Sequence, residues 1–140
     1  MDLEESWGFN LSKIAQKMDD CFSQDLKTFD IDSRDYGILV KVFNNNNLTQ
    51  IDLGDLLQID RTTIGQLINQ LEDKGLLERQ KNPEDKRQNR ILLTAQGKSL
   101  VVKKWELMRE IEERVSNSLS KSQQKTILMM SEKIKGGKDD

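Results

Sequence analysis

Apolar residues recur at helical spacing between Arg61 and Gly75, and this stretch constrains the fold more than any other. It carries one buried stripe at positions i, i+3, i+4 and i+7, formed by Ile64, Leu67, Ile68 and Leu71. Asp60 precedes the stripe as an N-cap, and Gly75 follows it as a residue that can adopt the left-handed conformation that ends a helix. The other face is polar and carries Arg61, Thr62, Thr63, Gln66, Asn69 and Gln70. Hydroxyls, amides and guanidinium groups are the side chains that bind phosphates and base edges of DNA.

The residues on either side predict a helix-turn-helix followed by a β-hairpin. Thr49 caps a short helix that ends at Leu57, with Leu53, Leu56 and Leu57 predicted to face inward. About three residues separate it from the next helix, and so short a link requires a steep crossing angle. Downstream, the strand-like runs 76–80 and 90–93 flank a polar tip at residues 81–89, which is typical of a wing.

Four sequence pieces in this region together resemble the MarR family of bacterial transcription regulators. They are Leu-Glu-Asp-Lys-Gly-Leu-Leu-Glu-Arg at 71–79, Pro83, Asp-Lys-Arg at 85–87, and Leu-Thr-Ala-Gln-Gly at 93–97. Each piece alone is weak, but their joint order and spacing is specific, and the helices outside this stretch fit as well. The resemblance implies a homodimer that binds a pseudo-palindromic operator, represses transcription and is released by a small-molecule effector. It also implies that Arg87 enters the minor groove while Asp85 orients it.

The predicted DNA contacts lie on the helix that begins at Arg61, which we call the reading helix, at the N-cap of the preceding helix, and in the wing. Gln66 and Arg61 are the predicted base readers, because Gln pairs with adenine and Arg with guanine. An anonymous helix would carry such side chains as a solvated face, and charges at a hairpin tip would only aid solubility. The winged-helix frame favours the functional interpretation, because it turns this face toward the major groove. The full set is Thr49, Arg61, Thr62, Thr63, Gln66, Lys81, Asp85 and Arg87.

The net charge of −2 is unusual for a protein that binds DNA, but the charge is unevenly distributed. Residues 1–60 carry 12 acidic and 5 basic side chains, whereas residues 61–91 carry 7 basic and 5 acidic ones. Residues 92–140 carry 10 basic and 7 acidic side chains, so the acidic charge is segregated at the N-terminal end. Residues 61–91, the predicted reading head, have a small local positive field. Its modest size predicts moderate DNA affinity that weakens with salt.

The predicted fold is mainly α, with a winged helix-turn-helix, a small β-hairpin wing and a helical dimerisation region at the two ends. Residues 1–30 form the N-terminal dimerisation helix, 31–94 the DNA-binding region, and 95–140 the C-terminal dimerisation helices, with 136–140 expected to fray. A helix capped by Ser33 buries Tyr36, Leu39, Val42 and Phe43. Ser120 and Gln123 form a capping box for the last helix. The predicted dimer contacts, from stripes that one chain cannot bury, are Leu11, Ile14, Met18, Ile111, Val115, Leu119, Ile127 and Leu128.

Other function classes find little support in the sequence. The chain has no histidine, no glycine-rich phosphate loop and no ligand-spaced cluster, so we expect no enzyme, no metal and no cofactor. No apolar run approaches the roughly 20 residues of a membrane span, and the N-terminus has no signal core, so a cytoplasmic protein is expected. Trp7, Trp105 and Met108 are either core residues or the lining of an effector pocket.

Two alternatives stay open beside the DNA-binding interpretation. One is a protein-interaction module that keeps the winged fold, although such a module would not need Arg61, Gln66 and Arg87. The other is an oxidant sensor that acts through the single cysteine, Cys21. Three flanking carboxylates disfavour a reactive thiolate, and the sensing cysteine of related regulators would fall about 13 positions away, near Gly8. We therefore predict that Cys21 is a packing residue.

Overall fold

The computed structural model describes residues 1–136, and positions 137–140 of the predicted C-terminal region lie outside the described residues. Six α-helices and one antiparallel hairpin follow in the predicted order, with short 3-10 turns at Leu3–Glu5 and Lys27–Phe29. The elements are α1 (Trp7–Leu26), α2 (Ser33–Asn44), α3 (Gln50–Leu57), α4 (Arg61–Asp73), β1 (Leu77–Lys81), β2 (Asn89–Leu93), α5 (Ala95–Ser116) and α6 (Lys121–Gly136). The mainly helical winged fold is confirmed.

Most helix caps are as the sequence predicts. The Thr49 hydroxyl accepts the Asp52 N–H, the Thr94 hydroxyl accepts the Gly97 N–H, and Ser120 pairs with Gln123 in both directions. The predicted cap of α2 is wrong, because Asp32 rather than Ser33 occupies this position. The Asp32 carboxylate accepts the Asp35 N–H at 2.9 Å, and the Asp35 carboxylate accepts the Asp32 N–H at 3.0 Å. This reciprocal pair satisfies two backbone donors, which one serine hydroxyl does not do.

The core lies where α1 to α5 and the hairpin meet. In it, the Phe22 and Tyr36 rings contact edge to face, with centroids 5.1 Å apart. The buried Tyr36 hydroxyl donates to the Val101 carbonyl at 2.8 Å and so ties α2 to α5. Removal from water raises the pKa of Tyr36 to about 12. Phe43 and Leu56, both predicted to face inward, are instead 45% and 53% exposed.

The hairpin is tied to the helices on both sides. Its register pairs Leu77 with Leu93 and Lys81 with Asn89, and the Ile91 N–H donates to the Leu48 carbonyl at 2.8 Å just before α3. At the other end, a Cβ on Gly97 would lie 2.2 Å from the Leu76 carbonyl oxygen, so only glycine lets α5 start this close to β1. The wing therefore has a fixed base rather than hanging from the fold.

Helix α6 differs from the other helices in having no buried residue. Its apolar side chains point away from the core of this chain, and among them Ile127, Leu128 and Ile134 are 49%, 69% and 61% exposed. Such an amphipathic helix has little reason to be stable without a partner surface. Within residues 1–136, no helix combines the length and the apolar character of a membrane span.

Candidate DNA-binding interface

Helix α4 buries one stripe and presents a polar face, as predicted. Ile64, Leu67, Ile68 and Leu71 are all at most 7% exposed, and they fix the rotation of the helix about its axis. The opposite side chains are exposed, namely Arg61, Thr62, Gln66, Asn69 and Gln70. A well-anchored helix with an open polar face is the element that a major groove accepts.

The start of α4 is held by Asp60. Its carboxylate accepts the Thr63 N–H at 3.0 Å, and hydrogen bonding from the Thr63 side chain and backbone holds the pKa of Asp60 below its ordinary value. The cap therefore stays ionised at neutral pH. Thr63 is half-buried and engaged with this cap, whereas Thr62 is exposed. Of the two predicted threonine contacts, Thr62 is the one whose hydroxyl stands free of the cap.

Thr49 also acts locally, as the N-cap of α3. Its hydroxyl accepts the Asp52 N–H at 3.2 Å, and the Asp52 carboxylate accepts the Thr49 N–H at 2.9 Å. Thr49 nevertheless lines a polar groove of about 310 Å³ together with Gln50 and Arg87. This groove places the start of α3 beside the wing. A DNA contact at Thr49 stays a prediction.

The wing tip orients one arginine outward. The Asp85 carboxylate accepts the Arg87 N–H at 3.0 Å and the Arg87 Nε at 3.4 Å, while the Arg87 side chain remains 93% exposed. An arginine that is held at its base and free at its tip is suited to a narrow groove of high negative potential. Lys81, at the end of β1, and Lys86 add exposed positive charge to the same hairpin.

Sequence reasoning missed Arg79, which lies on β1 behind the reading helix. Its guanidinium donates to Glu72 and Asn69 on α4 and to Gln50 on α3, at 2.8, 2.7 and 3.1 Å. A strand pattern shows only whether a residue alternates inward or outward, so it contains no signal for these partners. The side-chain oxygen Oδ1 of Asn69 accepts from Arg79, which weakens Asn69 as a base reader.

The predicted dimer contacts fall into three groups by their exposure. Leu11, Ile14, Ile127 and Leu128 are 45–69% exposed and belong to an apolar surface of α1 and α6, which we call the terminal-helix surface; its other members are Trp7, Met130 and Ile134. Met18, Val115 and Leu119 are half-buried. Ile111 differs, because it is only 5% exposed and packs in the core of its own chain. Ile111 is therefore buried by its own chain and does not need a second copy to cover it.

Cys21 is exposed, so within its own chain it is not the packing residue that the sequence predicts. It follows Ile14 and Met18 on α1 at spacings of seven and three, which extends the stripe that begins at Leu11. The local reason for the error is that α1 turns only Phe22 and Leu26 into the core. Any packing of Cys21 must come from a second molecule.

A cavity of about 450 Å³ lies between α1, α2 and α5. Aromatic and aliphatic side chains form most of its wall, including Phe22, Tyr36, Trp105 and Met108. The predicted lining residues Trp105 and Met108 thus meet here, whereas Trp7 is 69% exposed and belongs to the terminal-helix surface. The size and apolar lining are those of small-molecule sites. Within residues 1–136, no three His, Cys, Asp or Glu side chains are grouped to hold a metal ion.

Comparison with known proteins agrees with these features. The model of the MarR family matches residues 31–88. A protein named as a candidate transcriptional regulatory protein for the hcr operon of Thauera aromatica is 30% identical over 93 residues, which are 66% of this chain and 56% of that protein. This chain thus spans little more than half the length of that relative.

Two solved structures have the same fold over nearly the whole chain. CouR from Rhodococcus jostii RHA1, bound to p-coumaroyl-CoA, superposes with a TM-score of 0.89 at 20% identity and covers 100% of this chain and 99% of CouR. The repressor CouR bound to a 23-mer DNA duplex gives a TM-score of 0.85 at 22% identity, with 94% of each chain covered. At these identities the two structures show that the chain shares their fold, and its helix-turn-helix and wing tip, residues 31–88, match the model of the MarR family.

Proposed function

We propose that two copies of this chain form a dimer that binds a pseudo-palindromic operator in the cytoplasm and represses transcription. Each copy inserts α4 into a major groove and Arg87 into the neighbouring minor groove. The observation that carries this proposal is that the exposed polar face of α4 and the exposed Arg87 of the wing lie on the same DNA-binding region. The polar face of α4 is open between its two caps, and the Asp85-oriented Arg87 stands 93% exposed beside the groove that leads to α3.

The dimer part of the proposal rests on the terminal-helix surface. Seven large apolar side chains on α1 and α6 are 45–69% exposed in the single chain. Met18 of α1 lines one groove with Ile127 and Leu128 of α6, and exposed apolar patches of this kind mark interaction surfaces. A second copy offers the same surface, and a two-fold arrangement covers both at once.

Release by an effector is proposed for the cavity between α1, α2 and α5. Its wall joins the terminal helices α1 and α5 to α2 of the DNA-binding region, so an occupant contacts both parts. The Tyr36 hydroxyl is already bonded to Val101, which leaves an apolar interior. We propose an apolar, aromatic ligand that shifts the separation of the two reading heads.

The experiment that tests the proposal is a selection of bound duplexes from random DNA, using the purified protein. The enriched sequences should contain an inverted repeat, because the two heads of a two-fold dimer face one side of the duplex. The centres of the half-sites should lie about 10–10.5 base pairs apart, or a multiple of that. Recovery of duplexes with no shared sequence after repeated rounds would contradict sequence-specific binding and favour the protein-interaction alternative.

Oxidant sensing through Cys21 is expected to be absent. Asp19, Asp20 and Asp25 flank the thiol along α1, and negative neighbours disfavour the thiolate that peroxide attacks. The Cys21→Ser variant should bind operator DNA as the parent does, and hydrogen peroxide should release neither protein. Binding measured by fluorescence anisotropy before and after peroxide tests this. Release of the parent but not of Cys21→Ser would establish the sensor role instead.

A further inference from the structure

Arg79 joins three elements of the reading head through one guanidinium group. From β1 its Nη1 reaches Glu72 at 2.8 Å, and its Nη2 reaches Asn69 at 2.7 Å and Gln50 at 3.1 Å. The Arg79 side chain is only 23% exposed, so these contacts are partly shielded from water. A wing strand, the reading helix and the preceding helix are thus held at one point.

The geometry of the group explains why arginine occupies this position. A guanidinium is planar and directs its N–H donors along fixed lines, so several simultaneous bonds define the relative positions of the acceptors. The Gln50 arm also depends on Gly65, where a Cβ would lie 2.9 Å from the Gln50 Nε2. The glycine leaves room for Gln50 to lie against α4 and accept from Arg79.

The position of this contact matters for DNA binding. Asn69 follows Gln66 by one helical turn on the exposed face of α4, and Arg79 lines the groove that also contains Arg87. Docking α4 in one groove and the wing in the next requires a fixed distance between them. Loss of a brace would let the wing and α4 move relative to each other, and side chains that are misplaced by a fraction of an ångström lose their productive geometry.

We propose that Arg79 is a positioning residue, which holds α3, α4 and the wing in the arrangement that lets both reach DNA. This inference rests on the proposed DNA-binding function. Arg79 itself contacts no phosphate in this account, because three of its five N–H donors are directed to protein acceptors and its side chain is only 23% exposed. That separates it from Arg87, whose guanidinium tip is free.

The test compares Arg79→Met, Arg79→Lys and the matched control Arg90→Met. Arg90 lies on the partner strand of the same hairpin and makes one long bond to Gln80, at 3.3 Å. Arg79→Met should lose about tenfold or more in operator affinity, because bonds to a charged group are lost, and the ratio of specific to random binding should fall. Arg79→Lys should regain little of the operator affinity that Arg79→Met loses, because an ammonium group does not reproduce the planar set of donors of a guanidinium. Arg90→Met should lose far less.

Two readouts separate positioning from direct contact. The slope of log K against log salt should stay at the parent value in Arg79→Met, whereas a lost phosphate contact would lower it by about one unit per monomer. A lowered slope, or an equal loss in Arg90→Met, would overturn the proposal. Glu72→Met and Gln50→Met each remove one hydrogen-bond acceptor of the Arg79 guanidinium. They should give smaller losses of the same kind, and they replace Arg79→Met as the test if that variant folds poorly.

A measurement without DNA keeps this inference separate from the proposed function. Amide hydrogen exchange in α3, at the end of α4 and in β1 should accelerate in Arg79→Met and in Glu72→Met, but not in Arg90→Met. Unchanged exchange in both Arg79→Met and Glu72→Met would show that Arg79 does not hold these elements together. If the parent selects no DNA sequence while the exchange pattern is as expected, the brace stands and the proposed function fails.

Discussion

Ile127→Asp is expected to separate the dimer into monomers and to remove most operator binding. In the single chain Ile127 is 49% exposed, so a carboxylate there costs the folded monomer little. In the dimer it would be buried without a partner, which costs several kcal/mol, and a two-fold interface contains the substitution twice. Dimerisation should therefore weaken by at least about a thousandfold, and a monomer with one head should lose the second half-site.

Sedimentation at micromolar concentration measures the change directly. The control is Ser122→Asp, which introduces the same charge about 140° around α6 from Ile127 and should remain dimeric. Ile111 is unsuitable for this test, because at 5% exposure its replacement would damage the core of the chain itself. A parent protein that is monomeric and stably folded at these concentrations would contradict the dimer.

Arg87→Ala is expected to have the second largest effect. The side chain is 93% exposed and oriented by Asp85, so its removal should leave the fold intact and should weaken binding to most sequences. The slope of log K against log salt should fall by about one unit per monomer, and the preference for A·T pairs beside the half-sites should diminish. Isotherms at several salt concentrations give the affinity and the slope. Isotherms on operators with altered flanking pairs give the base preference.

The matched control for Arg87→Ala is Lys86→Ala, which removes an adjacent exposed cation that Asp85 does not orient. A smaller loss is expected there, without a change in base preference. If Lys86→Ala and Arg87→Ala lose the same affinity and leave the flanking preference unaltered, the wing contributes only general positive charge. The minor-groove role of Arg87 would then be wrong.

Local chemistry made much of the fold predictable. The caps at Thr49, Asp60, Thr94 and Ser120 depend on side chains within three residues of the backbone groups that they satisfy, so sequence alone locates them. The error at Ser33 has the same origin, because neighbouring Asp32 competes for the same position and forms the reciprocal pair with Asp35.

Features that depend on tertiary partners were harder to predict. Periodicity identifies an apolar stripe but not the surface that covers it, so Ile111 was assigned to the dimer although its own chain buries it. Leu56 and Phe43 follow the helical pattern and still remain exposed. The Arg79 side chain on β1 contacts residues 29, 10 and 7 positions away on two helices, and no local pattern encodes these contacts.

The most direct test of the central claim repeats the selection from random DNA with the Gln66→Ala variant. If α4 reads base edges through Gln66, the variant should enrich the same inverted repeat with one position per half-site relaxed. Its affinity for the parent's operator should fall by about 1–3 kcal/mol, while random DNA binds almost unchanged. Enrichment of an identical sequence at identical affinity would contradict this account, because Gln66 on α4 would then read no base of the operator.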